Sequence, residues 1–123
     1  MALGALAQVH VSVRDIDASV TFYRDVLGIP FLFAVPGQAM AFFQSGDVRL
    51  YLGTPERPEF TTAVMLYFRV DDIIAERSRL VDAGLAVGEP HVVHRTGGTE
   101  LWMAALRDPD GHHILLTQER PAG

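Results

Sequence analysis

The stretch Asp108-Pro109-Asp110-Gly111-His112-His113-Ile114-Leu115-Leu116 decides the fold, because it closes a strand, helix, strands order that the chain states twice. Pro109 fixes its own φ and Gly111 tolerates a positive one, so Asp108 to Gly111 turns the chain between two antiparallel strands. Working backwards, this unit opens with a strand in Ala63 to Val70, passes Asp71-Asp72 into a helix closed by Gly84, and returns through strands to Gln118. The earlier half repeats the order: a strand from Gln8 to Val13, an Asp-capped helix closed by Gly28, then strands ending at Leu52. Such a half cannot bury its own apolar sheet face, so two must associate and enclose a shared cavity. Function is therefore expected on the inner faces of the strands.

A chain of 123 residues fits one domain with a hydrophobic interior and leaves no room for a separate catalytic domain. Apolar residues at 49% and charged residues at 20% argue against disorder, and no apolar run is long enough to cross a bilayer. Ten Lys plus Arg against fifteen Asp plus Glu give a net charge of -5 without a basic run, so neither nucleic acid nor membrane is an expected partner. The lack of cysteine excludes disulfides, thiolate nucleophiles and Cys-type zinc sites. Met1 to Ala7 has neither the basic region nor the long apolar core of a secretion signal, and a cytoplasmic protein is expected.

In Gln8 to Val13 polar and apolar residues alternate with the period of a strand. Asp15 or Asp17 can cap a helix over about 17 to 27, followed by strands at about 30 to 35, 39 to 44 and 47 to 53. Thr54 to Phe60, with Pro55 and Pro58, reads as the linker. In the second half Asp72 caps a helix with the stripe Ile73, Ile74, Arg77, Leu80 and Val81; strands follow at Ala86 to His94, Glu100 to Arg107 and His112 to Gln118.

The stretches Val11-Ser12-Val13-Arg14-Asp15-Ile16-Asp17, Phe22-Tyr23-Arg24-Asp25-Val26-Leu27-Gly28 and Asp108-Pro109-Asp110-Gly111 carry a likeness. By them the chain resembles the vicinal oxygen chelate superfamily, which contains glyoxalase I, extradiol dioxygenases, fosfomycin-modifying enzymes and bleomycin-sequestering proteins. The resemblance implies an α+β fold. Two tandem βαβββ modules, about 6–53 and 63–119, would form a single glyoxalase-like domain over 1–123, with curved mixed sheets around a cavity and helices on the convex side. It also locates the positions where the family's enzymes hold a metal: Gln8, Tyr51, Met65 and Leu115. Gln8 is an acceptable ligand, Met65 is a poor one for a hard ion, and Leu115 has no donor atom. One acceptable ligand of four is too few, so neither a metal nor another cofactor is expected.

If those four positions face inward, period two sends His10, Arg49, Tyr67 and His113 to the same face one layer along. With the opening and closing strands of each half taken as antiparallel, His10 should neighbour Arg49, Tyr67 should neighbour His113, and Ser12 should face Asp47. Val9, Val11, Leu50, Leu66, Phe68, Ile114 and Leu116 would pack on the helices. The polar layer reads either as a wall for an anionic ligand or as a self-satisfied network. Trp102, with Met40, Phe42 and Phe43 in the corresponding strand of the first half, reads either as a surface for a flat ligand or as core. His91, His94 and His112 read as surface or turn histidines, Glu100 as solvated, and Asp108 and Asp110 as turn formers.

The expected function is therefore metal-free binding of a small anionic or aromatic molecule by Gln8, His10, Arg49, Tyr51, Tyr67, Trp102 and His113. The family implies a homodimer. The alternative is a lyase, isomerase or dioxygenase that uses either a relocated metal at His10 and His113 or no metal at all, with His10 or His113 as a candidate general acid or base. No catalytic residue is assigned. A third reading is a structural or regulatory domain with no ligand.

Overall fold

The structure is a computed structural model that describes residues 3–55 and 57–123. It comprises two compact units, Met1–Ala63 and Val64–Gly123. In the first, β1 (Gln8–Ser12) leads into α1 (Ile16–Val20), which continues in π-helical turns over Thr21–Val26. Strands β2 (Phe31–Ala34), β3 (Met40–Ser45) and β4 (Val48–Gly53) complete a sheet of order β1-β4-β3-β2. Asp15 starts α1 by accepting from the Ala18 N–H at 3.2 Å. The π turns widen the helix, as in the 2.8 Å bond from the Leu27 N–H to the Phe22 carbonyl, and the adjacent Phe22 and Tyr23 are both buried. Gly28, at φ 78°, ends the helix.

The second unit repeats the plan. It holds β5 (Met65–Arg69), α2 (Ile73–Asp82), β6 (His91–Thr96), β7 (Thr99–Arg107) and β8 (His113–Pro121), in sheet order β5-β8-β7-β6. Asp72 caps α2, accepting from the Ile74 and Ala75 N–H groups at 3.1 Å each. Gln118 fastens the same helix start to β8: its Oε1 accepts from the Ile73 N–H at 2.9 Å and its Nε2 donates to the Asp71 carbonyl at 2.6 Å. This is the α+β architecture of two βαβββ units expected from the sequence.

Strand direction differs from the expectation. Both β1–β4 and β5–β8 are parallel pairs. The helical crossover delivers β2 parallel to β1, and the reversals at β3 and β4 restore that direction, so the closing strand runs alongside the opening one. Level partners are therefore Gln8 with Arg49 and His10 with Tyr51, not His10 with Arg49. Likewise Met65 is level with His113 and Tyr67 with Leu115. Ser12 faces Gly53, and Asp47 lies in the turn before β4.

Other boundaries moved for local reasons. Strand β6 begins at His91 rather than Ala86, because residues 86–90 offer β7 one backbone bond, from the Gly88 N–H to the Ala105 carbonyl, before Pro90 removes a donor. On α2 only Ile73 and Leu80 of the expected apolar stripe are buried; Ile74 and Val81 are exposed, and Arg77 donates to the Val87 carbonyl at 3.0 Å.

Asp108 is buried, and its Oδ1 accepts from the Asp110 N–H at 2.9 Å and the His112 N–H at 2.8 Å, which shapes the turn. His112 is not a surface residue. It is buried, and its Nδ1 accepts the Val64 N–H at 3.0 Å, joining the start of β5 to this turn.

Candidate functional site

In the first unit the helix-bearing face of the sheet is the core: Val11, Ala41, Phe43, Leu50 and Leu52 are buried, and Phe43 meets Tyr23 at 6.1 Å between ring centroids. Alternation therefore turns Gln8, His10, Arg49, Tyr51, Phe42 and Gln44 to the opposite, open face. Register sorts them into rows across the strands. One row is Gln8–Arg49–Gln44, and the next is His10–Tyr51–Phe42.

The second row is extended by Phe33 into an aromatic ladder. Phe33 and Phe42 have centroids 4.8 Å apart, Phe42 and Tyr51 stack at 4.8 Å with planes 24° apart, and His10 meets Tyr51 at 4.7 Å and 82°. Rings this close cannot lie side by side in one plane. Phe33, Phe42 and Tyr51 therefore stand face to face and turn their edges outward, while His10 ends the series crosswise. Phe42 is enclosed, whereas Phe33 remains 45% exposed at the sheet edge. The Arg49 guanidinium carbon lies 5.3 Å from the Phe42 ring centre, within cation–π range.

Gly53 makes room for this arrangement. A Cβ on Gly53 would lie 2.6 Å from Tyr51 Cε1, so the phenol ring lies over the glycine next along its own face of β4. Sequence reading omitted Phe33 for a physical reason. A bulge between Phe31 and Phe33 pairs Phe31 with Phe43 and Phe33 with Phe42, so two residues of one parity separate, Phe31 to the core and Phe33 to the open face.

The second unit carries no such ladder. Tyr67 is 53% exposed and level with Leu115, which in turn pairs with Ala105. His113 is level with Met65 and Arg107. Trp102 does not join them. It has the parity of the buried Ala104 and Leu106, stands level with Gln118 on the helix-bearing face, donates to Glu100 at 3.3 Å and lies under the Arg120 guanidinium at 5.4 Å. Glu100, expected to be solvated, is instead held by Trp102 and by Arg95 at 2.9 Å.

The four metal positions do not fit a divalent ion. Gln8 has a guanidinium as its level partner, the Tyr51 ring is held in the stack, Met65 is a thioether and Leu115 an aliphatic chain. Among the described residues no three His, Cys, Asp or Glu side chains group to hold a metal. His91 and His94 are exposed and bonded locally, to the Glu89 carbonyl and the Thr96 hydroxyl.

Hollows also lie away from the ladder. One of about 420 Å³ runs between α1 and the β2–β3 loop, and its one guanidinium, Arg24, is already bidentate to Asp25 at 2.8 and 3.1 Å. That contact holds the Asp25 carboxyl below its usual pKa. Another, of about 540 Å³, is lined by Leu85, Ala86, Ala105, Leu106, Arg107 and His113. Among the described residues no helix is long and apolar enough to cross a membrane.

Relatives share this plan. The virulence protein STM3117 of Salmonella typhimurium is 26% identical over 128 residues, covering 96% of this chain and 86% of that protein. The crystal structure of TnmS3, an antibiotic binding protein from Streptomyces sp. CB03234, superposes with a TM-score of 0.79 at 28% identity, over 98% of this chain and 99% of that one. The lactoylglutathione lyase of Agrobacterium tumefaciens, at 23% identity, shares the fold with a TM-score of 0.75 over 95% of each chain. Residues 5–116 match one family over nearly the whole chain, and with the repeated βαβββ units this establishes that the chain belongs to the Glyoxalase/Bleomycin resistance protein/Dioxygenase superfamily.

Proposed function

We propose that this chain binds a small flat molecule on the open face of its first sheet, against the ladder Phe33–Phe42–Tyr51–His10. The observation that carries the reading is the ladder itself: four rings, one from each strand, in unbroken contact on the face that the helix leaves open. Ring edges carry positive charge and the face of a flat aromatic guest carries negative, so a guest lying across the edges makes the crosswise contacts aromatic pairs prefer. The antibiotic-binding description of TnmS3 supports binding as the activity. The four family metal positions, at which Gln8 is an acceptable ligand but Met65 is a poor one and Leu115 has no donor atom, weigh against the metal-dependent branch. In this reading the protein works in the cytoplasm as a homodimer, with both βαβββ modules in one domain.

The test compares thermal unfolding with 2-naphthol and with its saturated counterpart, decahydro-2-naphthol. A ligand that binds the native state raises the midpoint. The reading expects a concentration-dependent rise with 2-naphthol alone, reduced in Phe33→Ser. Equal rises with both compounds, or none with either, contradict it.

A further inference from the structure

We infer that the molecule held on the ladder carries an anionic head group, a carboxylate or phenolate on its ring system, and that Arg49 receives it between Gln8 and Gln44. This rests on the reading of the ladder as a binding surface and adds the chemical class of the guest.

The row beside the ladder is built from hydrogen-bond donors. Gln8, Arg49 and Gln44 are level across β1, β4 and β3. Gln44 is fixed by a 2.8 Å bond from its Nε2 to the Gly46 carbonyl, which leaves its second amide N–H unassigned. The residues these strands turn to the open face include no Asp or Glu. The row on the far side of the ladder, Ser12, Gly53 and Met40, carries no charge. A guest with one charged end is therefore oriented by the face, its anion toward Gln8–Arg49–Gln44 and its neutral end toward Gly53.

Among the described residues Arg49 has no counter-ion, as Arg69, Arg107 and Arg120 of the second unit have none, and it is the one guanidinium among the residues that the first sheet's strands turn to the open face. Arg24, Arg57, Arg77, Arg79 and Arg95 each pair with a carboxylate: Asp25, Glu59, Glu89, Glu76 and Glu100 respectively. Arg49 makes no ion pair with any described residue, although it is partly buried and leans on Phe42. A guanidinium partly withdrawn from water and lying against apolar rings gains most from a planar anion that accepts two parallel N–H bonds. Rows two residues apart on a strand are about 6.8 Å apart. That is comparable with the span from the centre of a ring, through an attached carboxylate, to a hydrogen-bonded donor.

The test uses calorimetric titration at low salt with 2-naphthoate and its neutral isostere 2-naphthamide. Wild type is expected to bind naphthoate at least about tenfold more tightly, the scale of a charge-assisted contact. Arg49→Gln is expected to erase that preference, Arg49→Lys to keep part of it, and Arg120→Gln, which alters a cation beside Trp102, to leave it in place. Equal affinities in wild type, or a preference that survives Arg49→Gln, overturn the inference. If naphthamide binds as tightly as naphthoate, the anionic head alone falls. If neither probe binds, the ladder reading falls with it. Should Arg49→Gln fail to fold, the Arg49→Lys preference decides: unchanged from wild type, it counts against bidentate reception, and reduced, it supports it.

Discussion

His10 and Tyr51 stand level on neighbouring parallel strands, with ring centroids 4.7 Å apart and planes at 82°. The contact exists because β4 returns beside β1 in the same direction; in an antiparallel pairing His10 would have stood against Arg49. It makes Tyr51 the junction of the ladder, crossed by His10 on one side and stacked on Phe42 on the other.

Tyr51→Phe keeps both ring contacts and is expected to change stability by less than about 0.5 kcal/mol, whereas Tyr51→Leu loses two aromatic pairs and is expected to cost about 2 kcal/mol. Urea unfolding of the two variants checks the difference.

Gly53→Ala places a methyl 2.6 Å from Tyr51 Cε1, so the phenol must swing off its stack. The expected result is a changed near-ultraviolet circular dichroism spectrum and about tenfold weaker binding of 2-naphthol, the scale of one lost aromatic contact. In a Tyr51→Leu background the same substitution is expected to be nearly neutral for binding. Additivity of the two changes would show that Gly53 does not act through Tyr51.

Asp108→Ala removes the acceptor of the Asp110 and His112 N–H groups in a buried turn. The expected loss is about 3 kcal/mol in chemical denaturation, and Asp108→Asn, which retains an acceptor oxygen, is expected to recover most of it.

His112→Phe fills a similar space but leaves the Val64 N–H without its acceptor. An unpaired backbone donor costs about 1–3 kcal/mol, and hydrogen exchange at Val64 is expected to accelerate along with that loss. Exchange at Val64 unchanged from wild type would show that the imidazole bond does not protect it.

Much of the fold was legible because its cues are local. Asp15 and Asp72 cap helices, Gly28 and Gly84 end them, and Asp108 to Gly111 turns the chain, each through chemistry within a few residues. The open face was legible as a set of strand residues, since alternation is also local. What stands beside what was not. Level partners depend on whether β4 runs with or against β1, which is fixed by two reversals far along the chain.

Phe33 escaped for another reason: the bulge after Phe31 breaks the period of two, and no residue type there announces it. The sequence leaves Trp102 open between ligand surface and core because Ala104 and Leu106, two and four positions on, are small or aliphatic residues that pass for either side until the register of β7 with β8 is known. His112 and His113 look alike in sequence, yet one is a buried acceptor for Val64 and the other sits on the open face beside Arg107.

Whether the first sheet's open face is the binding surface is decided by side-chain NMR of the aromatic rings during titration with 2-naphthol. Saturable shifts concentrated on Phe33, Phe42, Tyr51 and His10, with the Trp102 indole signal unmoved, are the expected result. Saturable shifts centred on Trp102, or on Phe22 and Tyr23 beneath the helix, with the ladder rings unchanged, would contradict it.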